Sequence, residues 1–150
     1  MPIINQKIRV LVVDDSMVAR SMITQGLSTH PRIEIIGCAI NTMDAKAKIA
    51  ALKPDVVTMD VEMPGKSGPE FLREYIPQHP VPVILVSSLN LRVFDALDAG
   101  AVDFIQKPQN HGDRDAFITA LAQKVLVAAT AKVRMARPAA PTAVDAAGAK

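Results

Sequence analysis

A chain of 150 residues with 49% apolar and 21% charged residues can bury one substantial core and reads as a soluble globular domain. It has no apolar run that spans a bilayer and no signal-peptide pattern, and its lone cysteine, Cys38, excludes an internal disulfide. These features predict a cytoplasmic protein without membrane insertion. The net charge of +2 combines a basic end with an acidic remainder: residues 121–150 carry Lys124, Lys132, Arg134, Arg137 and Lys150 against Asp145, which leaves the first 120 residues net negative. With basicity confined to the end and 3% aromatic residues, no nucleic-acid groove is expected in the folded part.

Ile8 to Val13 is a near-continuous apolar run, the pattern of a strand covered on both faces. It ends in Asp14-Asp15-Ser16. Asp15 or Ser16 suits the N-cap of the next helix, but capping accounts for only one of two adjacent acids. Side by side they repel, and a cation or a positive helix end would relieve them. Met17 to about Leu27 has helical spacing, with Val18, Met22, Ile23 and Leu27 as its apolar stripe and His30-Pro31 as its stop. Ile33 to Ala39 is the second strand, and Cys38 within it is expected to be buried and inert. Asn41 or Thr42 caps a helix through Leu52, with Met43, Ala47, Ile49 and Ala50 available for burial.

Pro54 then opens the stretch that organises the chain, a short apolar strand that delivers Asp60 to its C-terminal end. A lone Asp there commonly forms a turn, yet open α/β sheets bind ligands at this edge. Pro69 suits the first turn of a helix over Phe71, Leu72 and Ile76, cut by Pro77. Val81 to Val86 is the fourth strand and leaves Ser87-Ser88 at its end. Asn90 caps a short helix to Ala99, with Gly100 as its left-handed stop. Val102 to Ile105 is the fifth strand, followed by Gln106-Lys107-Pro108. Asp113 or Asp115 opens the last helix, through Phe117, Leu121 and Val125 toward Met135.

Five strands alternating with five helices predict an α/β fold, a doubly wound five-stranded parallel sheet with right-handed crossovers. It is expected to occupy residues 1–135. The Ala- and Pro-rich residues 136–150 read as a linker or disordered tail.

Parallel strands place their ends on one edge, so Asp14, Asp15, Asp60, Ser87 and Lys107 converge there. This set fits phosphoryl transfer. Carboxylates form acyl phosphates, clustered carboxylates suit Mg²⁺, and a hydroxyl and an ammonium are partners for phosphoryl oxygens.

Val13-Asp14-Asp15-Ser16, Met59-Asp60-Val61-Glu62-Met63-Pro64, Val86-Ser87-Ser88 and Gln106-Lys107-Pro108 together resemble the receiver domain of two-component response regulators, over roughly residues 8–130. Within receivers, Asp60 to Pro64, Pro82 to Leu89 and Gly100 to Pro108 look most like the regulatory domain of chemotaxis protein-glutamate methylesterase. The resemblance implies a flavodoxin-like fold with strand order 2-1-3-4-5, an order known for receivers. It implies Asp60 as phosphoacceptor, and Mg²⁺ on Asp15, Asp60 and the Glu62 backbone carbonyl, with Asp14 acting through water. Ser87 and Lys107 would each hold a phosphoryl oxygen, Phe104 would rotate on activation, and Lys107-Pro108 is a candidate cis peptide. The implied partners are a histidine kinase of a chemotaxis-type system, a C-terminal methylesterase domain and chemoreceptors.

Two departures from that pattern stand out. The segment from Ser88 to Gly100 is about four residues shorter than is usual in receivers, and Lys66-Ser67 replaces acidic and apolar residues before Gly68. No glycine-flanked nucleophilic serine is present, so the chain itself is expected to show only phosphoacceptor and self-dephosphorylation chemistry. It is read either as the regulatory fragment of a longer esterase or as a free-standing receiver or phosphate sink. A haloacid-dehalogenase-like phosphatase is a weaker alternative.

Overall fold

The computed structural model describes residues 7–88 and 99–136. Within them five strands form one parallel sheet in the order β2-β1-β3-β4-β5, with β1 at Ile8–Val13, β2 at Ile33–Ala39, β3 at Val56–Asp60, β4 at Val83–Ser87 and β5 at Asp103–Gln106. The expected doubly wound sheet and its strand order are both present. Every residue of β3 and β4 is buried, because helices cover both sheet faces, and this is why these strands read as unbroken apolar runs.

Side chains alternate between two cores. Leu11, Val13, Val57, Met59, Val83 and Leu85 face one, under α2 (Thr42–Leu52) and α3 (Gly68–Tyr75). Val10, Val12, Val56, Ile84 and Val86 face the other, under α1 (Met17–Ser28) and the last helix, α4 (Arg114–Ala136), which a short 3₁₀ turn at His111–Asp113 precedes. Four helices are thus described. The fifth, expected from Asn90 to Ala99, falls almost wholly on residues outside those described. Its expected stop, Gly100, has φ +113°, where glycine alone is unstrained. The 136–150 tail lies beyond the described residues except for Ala136.

Helix starts follow side-chain chemistry. Ser16, not Asp15, caps α1, its hydroxyl accepting from Ala19 N at 3.2 Å, so neither acid of the Asp14-Asp15 pair is spent on capping. Asn41 caps α2. Ser67 caps α3 in a reciprocal box with Glu70, which gives the unusual residue before Gly68 a structural role.

Two helix faces differ from the expected stripes. In α1, Ala19, Ile23 and Leu27 are buried while Val18 is 74% exposed. In α2, Thr42, Ala45 and Ile49 are buried, whereas Met43 is 82% exposed and Ala47 and Ala50 face solvent. Ile23, Leu27 and Ile49 are buried as expected, and the small Ala19 and Ala45, one turn before Ile23 and Ile49, complete the two faces in place of Val18 and Met43. β4 also begins two residues later than expected, just past Pro82, which has no N–H to donate and contributes only its carbonyl, to Val57 N at 2.9 Å.

Candidate functional site at the carboxyl edge

Register brings the strand ends level. Val13 lies opposite Ala39 and Met59, Asp60 opposite Val86, and Ser87 opposite Gln106. The residues that follow therefore emerge together on one edge, where Lys107 N donates to the Ser87 carbonyl at 2.7 Å. Of the site residues expected from the sequence, Asp14, Asp15, Asp60, Glu62, Ser87, Lys107 and Pro108 lie along this edge, and Phe104 lies inside β5.

Asp14 and Asp60 are almost fully buried, at 1% and 3% exposure, and Asp15 is exposed. One carboxylate oxygen from each of the three lies within 4.8 Å of the others. The Lys107 ammonium stands 3.0 Å from Asp14 Oδ2 and 3.4 Å from Asp60 Oδ1. Both oxygens are buried and accept no well-directed hydrogen bond, so one ammonium faces more negative charge than it can balance. Burial first, then repulsion from Asp14, pushes the Asp60 carboxyl up to about 7; Lys107 opposes the rise and Glu62 adds to it. Burial by itself would depress the Lys107 ammonium, but contact with Asp14 and then Asp60 more than offsets this and leaves it raised.

The donor set fits a hard divalent cation. It consists of oxygens only, two of them are buried without directed partners, and the third carboxylate opens to water. The backbone around the cluster is fixed. Asp14 Oδ1 accepts from Ser16 N at 2.9 Å, and Arg20 donates to the Asp14 carbonyl at 2.9 Å. Gly68 opens α3 directly against the end of β3, where a Cβ would sit 2.7 Å from the Asp60 carbonyl.

The other half of the edge is built from hydrogen bonds. Ser87 Oγ donates to Glu62 Oε2 at 2.7 Å, while Ser88 N and Ser88 Oγ donate to Glu62 Oε1 at 3.3 and 3.2 Å. The receiver resemblance implies only a backbone role for Glu62, whereas its side chain binds both serines. Phe104 is half-buried, paired with Leu85 in register and packed against the core under α2 and α3. By alternation it lies on the same sheet face as Ser87, one pleat earlier.

One expectation fails outright. No described peptide bond is cis, so Lys107–Pro108 is trans. Trans is the lower-energy state even before proline, and Lys107 reaches both carboxylates from it.

A doubly wound parallel sheet with an acidic cluster and a lysine at its carboxyl edge defines a flavodoxin-like α/β domain with a charged site at that edge. The family model described as the response regulator receiver domain matches residues 10–122, and the chain belongs to that family. Among its relatives are protein-glutamate methylesterase/protein-glutamine glutaminase 2 of Syntrophomonas wolfei, 44% identical over 85% of this chain, and the corresponding enzyme of Syntrophotalea carbinolica, 47% identical over 85%. The chain spans only 38% of the length of each. In structure it is similar to the response regulator domain of Thermotoga maritima CheB, with TM-score 0.77 and 37% identity over 83% of this chain and 98% of that one. It is also similar to a chain of the CheX-CheY-BeF3-Mg complex from Borrelia burgdorferi, with TM-score 0.69 and 28% identity over 81% and 89%. No helix among the described residues is long and apolar enough to cross a membrane.

Proposed function

We propose that this chain is the phosphoacceptor domain of a chemotaxis-type protein-glutamate methylesterase, and that Asp60 takes a phosphoryl group from the phosphohistidine of a kinase. The observation that carries this reading is the buried Asp60 Oδ1, which lacks a directed partner, lies beside Lys107 and clusters with Asp14 and Asp15. The relatives' names supply the methylesterase context, the sequence resemblance supplies the chemotaxis one, and the name of the Borrelia complex includes both BeF3 and Mg²⁺. The same context implies the cytoplasm, with chemoreceptors as substrates of the whole protein.

Asp14, Asp15 and Asp60, with the Glu62 main-chain carbonyl, would hold Mg²⁺, which supplies positive charge against the repulsion between carboxylates and phosphoryl oxygens. In the step itself an ionised Asp60 oxygen attacks phosphorus; a P–O bond forms, the P–N bond to the donor breaks, and the imidazole leaves. Lys107, already against Asp60, then pairs with a phosphoryl oxygen and anchors the new anion. Ser87 supplies a hydroxyl donor from the neighbouring strand end. Its movement, with Phe104 on the same face, offers a route from the phosphoryl group to the surface.

Acetyl phosphate with Mg²⁺, followed by borohydride trapping and mass spectrometry, tests the assignment. Label is expected at Asp60, abolished in Asp60→Asn and absent without the ion. Label that persists in Asp60→Asn would overturn it. For the whole protein, phosphorylation should raise hydrolysis of methylated receptor glutamates.

A further inference from the structure

Phosphoryl recognition requires the Ser87 hydroxyl to donate toward Asp60, yet that hydroxyl donates to Glu62 Oε2 at 2.7 Å. A hydroxyl carries one proton, so the two bonds exclude each other. The second Glu62 oxygen is also engaged, by Ser88 N and Ser88 Oγ. One side chain therefore holds both serines at the end of β4.

We infer that Glu62 is a latch on the switch: it keeps Ser87 and Ser88 in the unphosphorylated arrangement, and a phosphoryl group on Asp60 must win Ser87 from it. The inference rests on Asp60 being the phosphoacceptor. The exchange replaces one bond to a charged oxygen by another, so the latch sets how far the switch lies over without locking it. Phosphorylation also weakens the latch directly. A phosphoryl group carries more negative charge than the carboxylate it modifies, and it is placed two residues from Glu62. Glu62 acts through Ser87 and is a positioning residue; substitution of its side chain leaves its main-chain carbonyl in place.

A double-mutant cycle read by beryllofluoride titration tests this, with Mg²⁺ present and the Lys107 amide followed by NMR. In Glu62→Ala the midpoint should fall about tenfold, the scale of a hydrogen bond to a charged group. In the Ser87→Ala background the same substitution should shift it by about twofold or less, the part due to charge alone. Glu62→Gln retains an acceptor for Ser87 and should lie between wild type and Glu62→Ala, which provides a second variant should the first fold poorly. Without beryllofluoride, the Ser88 amide of Glu62→Ala should move toward its position in liganded wild type. Equal shifts with and without Ser87 would show that Glu62 acts by charge only and would overturn the latch. A wild-type protein that ignores beryllofluoride would instead remove the phosphoacceptor assignment, and the latch with it.

Discussion

The two halves of the carboxyl edge are built on opposite principles. Asp14, Asp15, Asp60 and Lys107 form an unbalanced half, with excess negative charge and buried oxygens without directed partners. Glu62, Ser87 and Ser88 form a satisfied half, with both carboxylate oxygens occupied by donors. The first is costly as it stands and gains from a cation or a more delocalised anion. The second loses hydrogen bonds whenever it moves. On the function proposed above, reception belongs to the unbalanced half and resistance to the satisfied one, and a signal requires the gain in the first to exceed the loss in the second.

The largest break in this comparison is removal of the only cation described in the unbalanced half. Lys107→Met leaves Asp14 and Asp60 buried against each other and should cost about 4 kcal/mol in urea denaturation near pH 8. The loss should shrink toward pH 5, because Asp60 then takes up a proton.

Asp60→Asn acts the other way, removing a carboxylate whose ionisation opposes folding. With Asp60 raised from 3.8 to about 7, the folded state binds the proton more tightly than the unfolded chain. Stability from this group is thus fully present below pH 4 and lost as pH rises to about 7. The advantage of Asp60→Asn over wild type should grow across that window to about 4 kcal/mol and then level off, a profile that paired urea titrations would trace. An advantage independent of pH would contradict burial and Asp14 repulsion as its source. Lys107 has the same sense in a higher window, since its raised ammonium contributes stability that is lost only above the ordinary lysine range.

Mg²⁺ sharpens the comparison further. At ten to thirty times its dissociation constant it should stabilise the protein by about 1–2 kcal/mol. Thermal scans should show the shift, chelation should reverse it, and Asp15→Ala should lose it. The smallest effect lies just inside the edge at Thr58, whose buried Oγ1 finds no partner among the described residues. Thr58→Val keeps the shape, removes the stranded hydroxyl and should gain about 1 kcal/mol in the same denaturation assay.

These contrasts also separate what the sequence made legible from what it did not. Asp14, Asp60 and Lys107 stood out because charged residues ending apolar strands are hard to explain by burial alone, and parallel topology brings them together without further information. The helix faces were harder. Val18 and Met43 are large and apolar yet exposed, while the small Ala19 and Ala45 are buried beside Ile23, Leu27 and Ile49, because position on the helix rather than hydropathy decides which side chain faces the sheet. The Ser67–Glu70 capping box was readable from spacing and passed unnoticed. The bond from Ser87 to Glu62 spans 25 residues and depends on two rotamers, so no local pattern announces it. The cis peptide at Lys107-Pro108 rested on resemblance alone, and the bond is trans.

The most direct test of the coupling between the halves is one NMR experiment on the wild-type chain with Mg²⁺ and increasing beryllofluoride. Amides of Asp15, Val61 and Lys107 report the unbalanced half; those of Ser87, Ser88 and Phe104 report the satisfied half and the residue behind it. Coupled halves should shift both sets with a common midpoint, and neither set should shift in Asp60→Asn. Shifts confined to Asp15, Val61 and Lys107, with Ser87, Ser88 and Phe104 unmoved at saturation, would show that the edge takes up phosphate without relaying it.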